Sequence, residues 1–279
     1  MKKSIKKISN IVTQITVGEP DFPGVSPPNM WLVAGFDRCA LIDTAYGNVD
    51  EIDAFVEAWN SAGSLPLSDV ILTHRHRDHI GGIRSIRDIS GAKILCAPEE
   101  HASIVEEIGD VFINQVTDGT KLHLGGVTLE ILLTPGHTFG SLCVLLDQES
   151  LIFTGDTILG GSTTVISPYH GDMSDYIDSL RKIKSKNPKN LAPGHGELIT
   201  DASKRIDAYI KHRIYRESTI VKALDEGIID IDGLFIKLYP KLDSRLHQTA
   251  RDQILSHLNK LVSEGRVQVK NDGTYGLIA

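Results

Sequence analysis

Apolar residues in the first half of the chain occur in short runs of strand length. Between Asn10 and Leu146 these runs are rich in β-branched residues and are separated by Gly, Pro, Asp and Asn, a pattern typical of strands joined by turns. The predicted strands are MWLVAG (30–35), CALIDT (39–44), VILTH (70–74), KILCA (93–97), VTLEILLT (127–134) and LCVLLD (142–147). Helical spacing in the intervening segments 50–63 and 83–90 predicts helices, and therefore a layered α/β architecture.

The pattern changes after Ile199, where helical periodicity takes over. A long amphipathic helix is predicted from 201 to a stop at Gly227, followed by a short helix closed by Pro240, a third helix, and two short strands around a turn at 271–273. The residues expected to face inward are Ile206, Tyr209, Ile210 and Ile214 on the first helix and Leu246, Ala250, Ile254, Leu258 and Leu261 on the third. Residues 203–279 are thus predicted to form a small winged-helix-like domain after a larger domain at 1–202.

Composition and charge indicate a soluble globular protein. The chain of 279 residues is 41% hydrophobic and 23% charged, with a formal net charge of −7, which disfavours a surface built throughout for nucleic acid. No apolar stretch reaches the roughly 18 residues that a membrane span needs. The three cysteines (Cys39, Cys96 and Cys143) are far apart in apolar surroundings, so we expect buried thiols and a cytoplasmic protein.

One segment, THRHRDHIGG (73–82), crowds three histidines and an aspartate into six positions after an apolar run. Such crowding is explained if divalent cations receive the lone pairs of these side chains. His74 and His76 are two residues apart in an extended segment, so they project to the same side and can hold one ion. Asp78 and His79 lie where the chain turns, and they can face a second ion. Gly81 and Gly82 are expected to permit a tight turn into the next helix.

Further ligands are available at the ends of other apolar runs. His137 in TPGHTFGS, Asp156 in FTGDTILG and His195 in APGHG each follow a strand-like run in a glycine-rich context. A loop ligand at the end of a strand is anchored by the sheet and can still reach a shared cleft.

These motifs, in this order and spacing, resemble those of the metallo-β-lactamase superfamily. The resemblance implies an αββα sandwich over about residues 10–200 with the metal centre at one edge, between two sheets. It implies that His74, His76 and His137 hold a first metal, that Asp78, His79 and His195 hold a second, and that Asp156 bridges both. Two divalent ions are expected, zinc first, with iron or manganese as alternatives.

The resemblance also implies hydrolysis, with a hydroxide that bridges the metals as nucleophile and Asp78 as the catalytic residue that orients it. With the C-terminal region included, the chain resembles a group that contains a mitochondrial endoribonuclease and thioester-cleaving relatives. HTFGS after His137 is closer to glyoxalase-II-like thioesterases, so a small-molecule ester or thioester is the favoured substrate. Single-stranded RNA cleavage is the alternative, and a non-catalytic ligand-sensing regulator is a third reading.

Residues around the motifs receive smaller roles. Arg75 and Arg77 are expected to form structural ion pairs, and Thr138 and Ser141 to fix the loop of His137 by hydrogen bonds. His170 is a candidate substrate contact at the rim of the cleft. For partners, we expect a small-molecule substrate, with single-stranded RNA as the alternative, no membrane and no duplex DNA; a homodimer is left open.

Overall fold

Two β-sheets form the centre of the molecule in the computed structural model, which describes residues 2–19, 26–109 and 112–278. In these residues the first sheet has seven strands, in the order β1 (Lys3–Lys7), β2 (Val12–Val17), β3 (Asn29–Ala34), β4 (Cys39–Ile42), β5 (Leu67–Ile71), β6 (Lys93–Cys96) and β7 (Ile113–Gln115). The second has five, adjacent in the order β12 (Asn190–Pro193), β11 (Leu151–Gly155), β10 (Leu142–Leu146), β9 (Thr128–Leu133) and β8 (Lys121–His123).

Helices cover the outer faces of both sheets and form most of the C-terminal region. They are α1 (Val49–Ser61), α2 (Arg77–Ile80), α3 (Ile83–Ser90), α4 (Pro98–Ile108), α5 (Met173–Ser185), α6 (Ala202–Asp225), α7 (Ile231–Leu238) and α8 (His247–Ser263). The hairpin β13 (Val267–Val269) and β14 (Tyr275–Leu277) completes the C-terminal region.

Strand alternation explains the layering. Successive side chains of β3 point to opposite faces, so Trp31 and Val33 enter the core between the sheets, whereas Met30 and Leu32 pack towards the helices on the outer face. The second sheet behaves in the same way, and its outer face packs against α5 and the first half of α6. The predicted αββα sandwich with a small winged-helix-like C-terminal domain is confirmed.

The carboxyl ends of several strands meet at one edge of the sandwich. β4, β5, β6 and β7 are parallel neighbours, and β11 and β12 are parallel in the other sheet. The Leu142 backbone N–H donates to the Thr73 carbonyl at 2.9 Å, which joins the two sheets at this edge. Loops that leave these strands therefore converge on a common cleft.

Helix α6 contributes side chains to two hydrophobic clusters. Ile206 and Tyr209 pack on the outer face of the second sheet, while Ile220 and Leu224 belong to the C-terminal core. The inward prediction for Ile214 is wrong: its side chain is 52% exposed, because the helix instead buries Arg213. The predicted division between 202 and 203 falls at the start of this helix and stays a prediction.

Most C-terminal expectations hold. Ala250, Ile254, Leu258 and Leu261 are buried on α8 as predicted. Leu246 is only half-buried, since it ends a short 3-10 turn, Ser244–Leu246, that precedes the helix.

Helix α4 and strands β1, β2, β7 and β8 were not individually predicted. The three cysteines are buried and form no disulfide, in agreement with the expectation of buried thiols. Within the described part of the chain, none of the helices combines the length and apolar character needed to cross a bilayer.

Candidate metal centre

Seven predicted ligands meet at the converging strand ends. His74 and His76 follow β5, with Asp78 and His79 in the short helix α2; His137 follows β9, Asp156 follows β11 and His195 follows β12. Their donor atoms fall into two groups, in each of which all atoms lie within 4.8 Å of one another. The first group is His74, His76, His137 and Asp156, and the second is Asp78, His79 and His195.

The first group is a tight cluster of imidazole nitrogens. His76 Nδ1 lies 2.9 Å from His74 Nε2 and 3.1 Å from His137 Nε2. The Asp156 carboxylate stands beside it, with Oδ2 4.0 Å from His137 Nε2.

The second group lies against the other side of the same carboxylate. His195 Nε2 is 3.3 Å from His79 Nε2 and 3.2 Å from Asp78 Oδ2. Asp156 is 3.4 Å from His79 Nε2 through Oδ1 and 3.6 Å from His195 Nε2 through Oδ2. Asp156 is thus in reach of both groups, which is the position expected of a bridging ligand.

Hydrogen bonds on the outer side of the rings fix the histidine tautomers. His137 Nδ1 lies 2.7 Å from the Val165 carbonyl, and His195 Nδ1 lies 2.7 Å from the Ser26 carbonyl. A carbonyl only accepts, so each Nδ1 must carry a proton, and in the neutral ring Nε2 then presents its lone pair to the cleft.

Asp43 orients the rings of His74 and His79 in a similar way, so that their Nε2 atoms face the cleft. This buried carboxylate accepts hydrogen bonds from the backbone N–H and the hydroxyl of Thr73, both at 2.8 Å, and from His79 Nδ1 at 2.8 Å. Because the Thr73 hydroxyl donates to Asp43, it accepts from His74 Nδ1 at 3.0 Å. Asp43 was not predicted; its signal in the sequence is an acidic residue directly after the buried strand β4.

The electrostatics of the cluster keep the three histidines of the first group neutral. Burial, followed by the neighbouring His137, lowers the pKa of His76 to about 3, and burial lowers the pKa of His74 well below its usual value. Burial alone would lower the pKa of His79 too, but Asp43 and the other carboxylates outweigh it and raise that pKa to about 10.

The two aspartates of the cluster stay ionised. Burial by itself would raise the pKa of Asp156, but His195 and His79 hold it below its usual range. Burial opposes ionisation of Asp78 in the same way and is outweighed by His79 and His195.

This donor set fits divalent metal ions. Three imidazole nitrogens face one another in the first group, and a shared proton could satisfy at most one of these contacts. Asp156 Oδ1 is buried and makes no hydrogen bond, a costly arrangement unless another group receives its charge. A Cβ at Gly194 would lie 2.4 Å from this oxygen, so only glycine leaves the second group room. Imidazole and carboxylate donors with fixed outer hydrogen bonds are typical of zinc sites.

The two glycines after the histidine motif have a different role from the one predicted. Gly81 and Gly82 have ordinary helical φ values of −62° and −83°, so no special turn requires them. They are needed for close packing: a Cβ at Gly81 would lie 2.2 Å from the Tyr46 carbonyl oxygen, and one at Gly82 would lie 2.4 Å from that of Thr44.

Glu100 joins the two loops that carry the first group. It is fully buried and accepts from the backbone N–H groups of Arg75 at 2.9 Å and Gly140 at 2.8 Å. Sequence reasoning missed Glu100 because helix α4 was not predicted. Next to it, Thr138 and Ser141 bond each other, hydroxyl to hydroxyl, at 2.7 Å, as expected.

The mouth of the cleft carries charges of both signs. Arg75 pairs with Glu100 at 3.8 Å and Arg77 pairs with Glu107 at 3.9 Å, so the expected structural ion pairs are present. His170 lies at this mouth, with its ring centroid 6.4 Å from that of His76. Burial, followed by Arg75, lowers the pKa of His170. Its contact with substrate stays a prediction.

Comparison with known proteins agrees with this geometry. Residues 23–195 match the Metallo-beta-lactamase superfamily, and residues 234–275 match the Beta-lactamase associated winged helix domain. A similar curated protein is the Beta-lactamase-like protein 2 homolog of Caenorhabditis elegans, which is 34% identical over 95% of this chain and 88% of its own length.

Solved structures share the fold. A Beta-lactamase domain protein from Burkholderia ambifaria matches 98% of this chain and 93% of its own, with a TM-score of 0.85 at 17% identity. The Metallo-beta-Lactamase FIM-1 from Pseudomonas aeruginosa, in its mono-zinc form, matches 76% of this chain and 94% of its own, with a TM-score of 0.63 at 19% identity. The family match spans the strand ends that carry the seven clustered side chains, and the chain therefore belongs to the metallo-β-lactamase superfamily, as a hydrolase with an associated winged-helix domain.

Proposed function

We propose that this hydrolase cleaves an ester or thioester of a small molecule at a centre of two divalent metal ions, zinc foremost. The observation that carries the proposal is the position of the partly buried Asp156 carboxylate, within 4.0 Å of His137 in one donor group and within 3.6 Å of His79 and His195 in the other. His74, His76 and His137 would hold one ion, Asp78, His79 and His195 the other, and Asp156 both.

Two bound ions would supply Lewis-acid polarisation of the attacked carbonyl and a lowered pKa for the attacking water. The protein supplies orientation. The outer hydrogen bonds from His137 to Val165 and from His195 to Ser26 hold the rings at fixed angles. The Asp78 side chain is 21% exposed and lies 3.2 Å from His195 Nε2, so it can accept a hydrogen bond from the attacking water. Its lowered pKa makes it an orienting acceptor rather than a store for the proton.

The charges at the mouth favour a small molecule over RNA. A cavity of about 410 Å³ lies there, lined in part by Arg75, Arg77, Glu106, Glu107 and His170. A strand of RNA requires a groove of uncompensated positive charge along its backbone. Because both arginines have carboxylate partners, this mouth offers little attraction to a polyanion.

The test compares wild type and Asp156→Ala on a panel of chromogenic thioesters and esters and on a fluorescent single-stranded RNA, with metal content measured by elemental analysis. Asp88→Ala is the matched control, since Asp88 is an exposed carboxylate on α3. We expect about two metals per chain and metal-dependent thioester or ester turnover, both lost in Asp156→Ala and kept in Asp88→Ala. Metal-dependent RNA cleavage without turnover of any panel member would replace the proposal with the endonuclease reading.

A further inference from the structure

A second cavity lies where the C-terminal domain packs on the catalytic domain. It has a volume of about 380 Å³, within the range of small-molecule sites, and none of the seven clustered side chains lines it. One wall is the loop 162–165, another is helix α6, and the third is formed by residues between Tyr239 and Gln253.

The charged side chains that line this cavity are both arginines. His212, Arg213 and Arg216 line it, and no Asp or Glu is found among its described lining residues. Arg213 is 3% exposed, yet its partners are neutral: it donates to Gln253 Oε1 at 2.8 Å and to the Thr164 carbonyl. Its charge is therefore buried without a carboxylate to balance it.

Arg216 is even less constrained by polar partners. Its guanidinium lies over the Tyr239 ring, 4.4 Å from the centroid, and it makes no hydrogen bond or ion pair with any described residue. The neighbouring turn of α6 behaves differently, because there Glu217 pairs with Lys260 at 2.7 Å and also with Arg266. Positive charge is compensated on that side of the helix and left uncompensated in the cavity.

Three buried side-chain nitrogens of residues that line the cavity lack hydrogen-bond partners. Nδ1 of His212, Nε of Arg213 and Nε of Arg216 are buried without a hydrogen-bond partner among the described residues. Buried polar atoms are nearly always paired, so three neighbouring exceptions require an explanation. The positive potential of the two arginines also lowers the pKa of His212, after burial itself. An anion in the cavity would supply the missing acceptors and the missing charge.

The rest of the wall is apolar. Val165, Leu242, Leu246 and Ala250 line the cavity together with the Tyr239 ring. A ligand that fills it therefore needs an apolar body next to its charged group.

We propose that this interdomain cavity, lined by Arg213 and Arg216, binds a small molecule that carries a carboxylate or phosphate group on a short apolar or aromatic body. The site is connected to the candidate metal centre. The Val165 carbonyl accepts from His137 Nδ1, and the Thr164 hydroxyl donates to the Asp156 carbonyl at 2.8 Å. A ligand here touches the loop that positions two predicted metal ligands. The assignment goes beyond the proposed function, because it does not require the ligand to be the substrate.

The test is isothermal titration of the metal-loaded full chain with four probes that share one body: 4-phenylbutyrate, 4-phenylbutylphosphonate, 4-phenylbutanol and 4-phenylbutylamine. None contains an ester or thioester, so the result is independent of hydrolysis. We expect one or both anions to bind and the alcohol and amine to bind at least about tenfold more weakly, the loss expected for a missing charge-assisted hydrogen bond. The relative strength of the two anions distinguishes a carboxylate ligand from a phosphate ligand.

Variants place the binding in the cavity. Arg216→Gln removes one charge and Thr249→Phe fills the space, and each is expected to weaken anion binding about tenfold or more. Lys211→Gln is the matched control, since it removes one positive charge from an exposed position of the same helix, and it is expected to change affinity less than twofold. Asp156→Ala, which alters the metal centre, is expected to keep the binding.

Four results would overturn the proposal: no binding of either anion to wild type, equal binding of the alcohol or amine, unchanged affinity in both Arg216→Gln and Thr249→Phe, or loss of binding in Asp156→Ala. The last result would place the anion at the metal centre. Since Arg216 has no polar contacts to lose, misfolding of this variant is not expected, and thermal unfolding monitored by circular dichroism checks both variants.

Discussion

Two regions of the molecule bury histidines together with charged side chains, and they do so in opposite ways. At the candidate metal centre, the outward Nδ1 atoms of His79, His137 and His195 are bonded to fixed acceptors, namely the Asp43 carboxylate and the Val165 and Ser26 carbonyls. Around the interdomain cavity, His212 Nδ1 and both ring nitrogens of His257 are buried with no hydrogen-bond partner among the described residues.

The difference follows from the elements that supply the side chains. Strand ends and the loops after them leave backbone carbonyls free, and these accept the outer hydrogen bonds that preorganise the first region. Helices α6 and α8 use their carbonyls internally, so side chains at their seam depend on one another, on the few loop carbonyls in reach, such as that of Thr164, or on a ligand. The first region is preorganised by the backbone, whereas the second depends on what binds there.

The largest effect is expected when one predicted metal ligand is removed from the first region. His195→Ala deletes an imidazole from the second donor group and leaves the first group intact. We expect metal content to fall by about one ion per chain and hydrolysis to fall at least about a hundredfold, a larger loss than removal of an outer partner gives. Elemental analysis and turnover of the best panel ester or thioester provide the measurement. His123→Ala, an exposed histidine, should match wild type; unchanged metal content in His195→Ala would contradict the ligand assignment.

A smaller effect is expected from the outer contacts. Asp43→Asn keeps the size of the side chain and tolerates the positive φ of 61° at this position, but it weakens the acceptor for His79 Nδ1. Metal affinity should drop about 10- to 100-fold, as measured by competition with a chelator. Asp88→Asn is the control. An affinity equal to that of wild type would show that the hydrogen bond from His79 to Asp43 does not affect metal binding.

In the second region, the compensated side of α6 should be the more sensitive to charge removal. Glu217→Gln leaves Lys260 and Arg266 without their shared carboxylate, and because Glu217 is 8% exposed we expect a loss of about 2 kcal/mol in the free energy of unfolding. Glu264 pairs with the same two cations from a more exposed position, so Glu264→Gln should cost about 0.5 kcal/mol or less. Urea denaturation measures both. Equal losses would mean that burial does not decide the strength of this network.

The last expected effect is pH-dependent, is absent above pH 7, and concerns His257. Burial, followed by Arg213, Arg216, Lys260 and His212, lowers the pKa of His257 to about 3. Between pH 6.5 and 3, His257 is therefore protonated in the unfolded chain but neutral in the folded protein. Its contribution to the free energy of unfolding falls by about 1.4 kcal/mol per pH unit as the pH decreases through that window.

Replacement of the ring removes this dependence. We expect the unfolding free energy of His257→Leu to decline less steeply below pH 6.5 than that of wild type, with no such difference above pH 7. Urea denaturation at intervals from pH 4.5 to 7.5 gives the two slopes, and His123→Gln, at an exposed histidine, is the control. Parallel slopes for wild type and His257→Leu would contradict the lowered pKa.

Local sequence determined a layered α/β architecture and the seven clustered side chains, and the resemblance of the motifs to a known superfamily implied the sandwich. Period-two alternation in segments such as MWLVAG assigns residues to the two faces of a strand, and strand ends followed by glycine mark where loop ligands converge. His137, Asp156 and His195 were found in this way although more than fifty residues separate them from the HRHRDH motif. The pattern is sufficient because each ligand is attached directly to an element that the pattern predicts.

Only the tertiary structure decided the remaining features, since these depend on contacts that no local pattern encodes. Asp43 acts through a hydrogen bond to Thr73, 30 positions away, and Glu100 through one to Arg75, 25 positions away. Ile214 is exposed because Arg213 takes the inward position of the helix and reaches the Thr164 carbonyl. The interdomain cavity is the clearest case. It combines the loop 162–165, one turn of α6 and the start of α8. Its positive charge is uncompensated because the packing of these elements places no Asp or Glu among the described residues that line it.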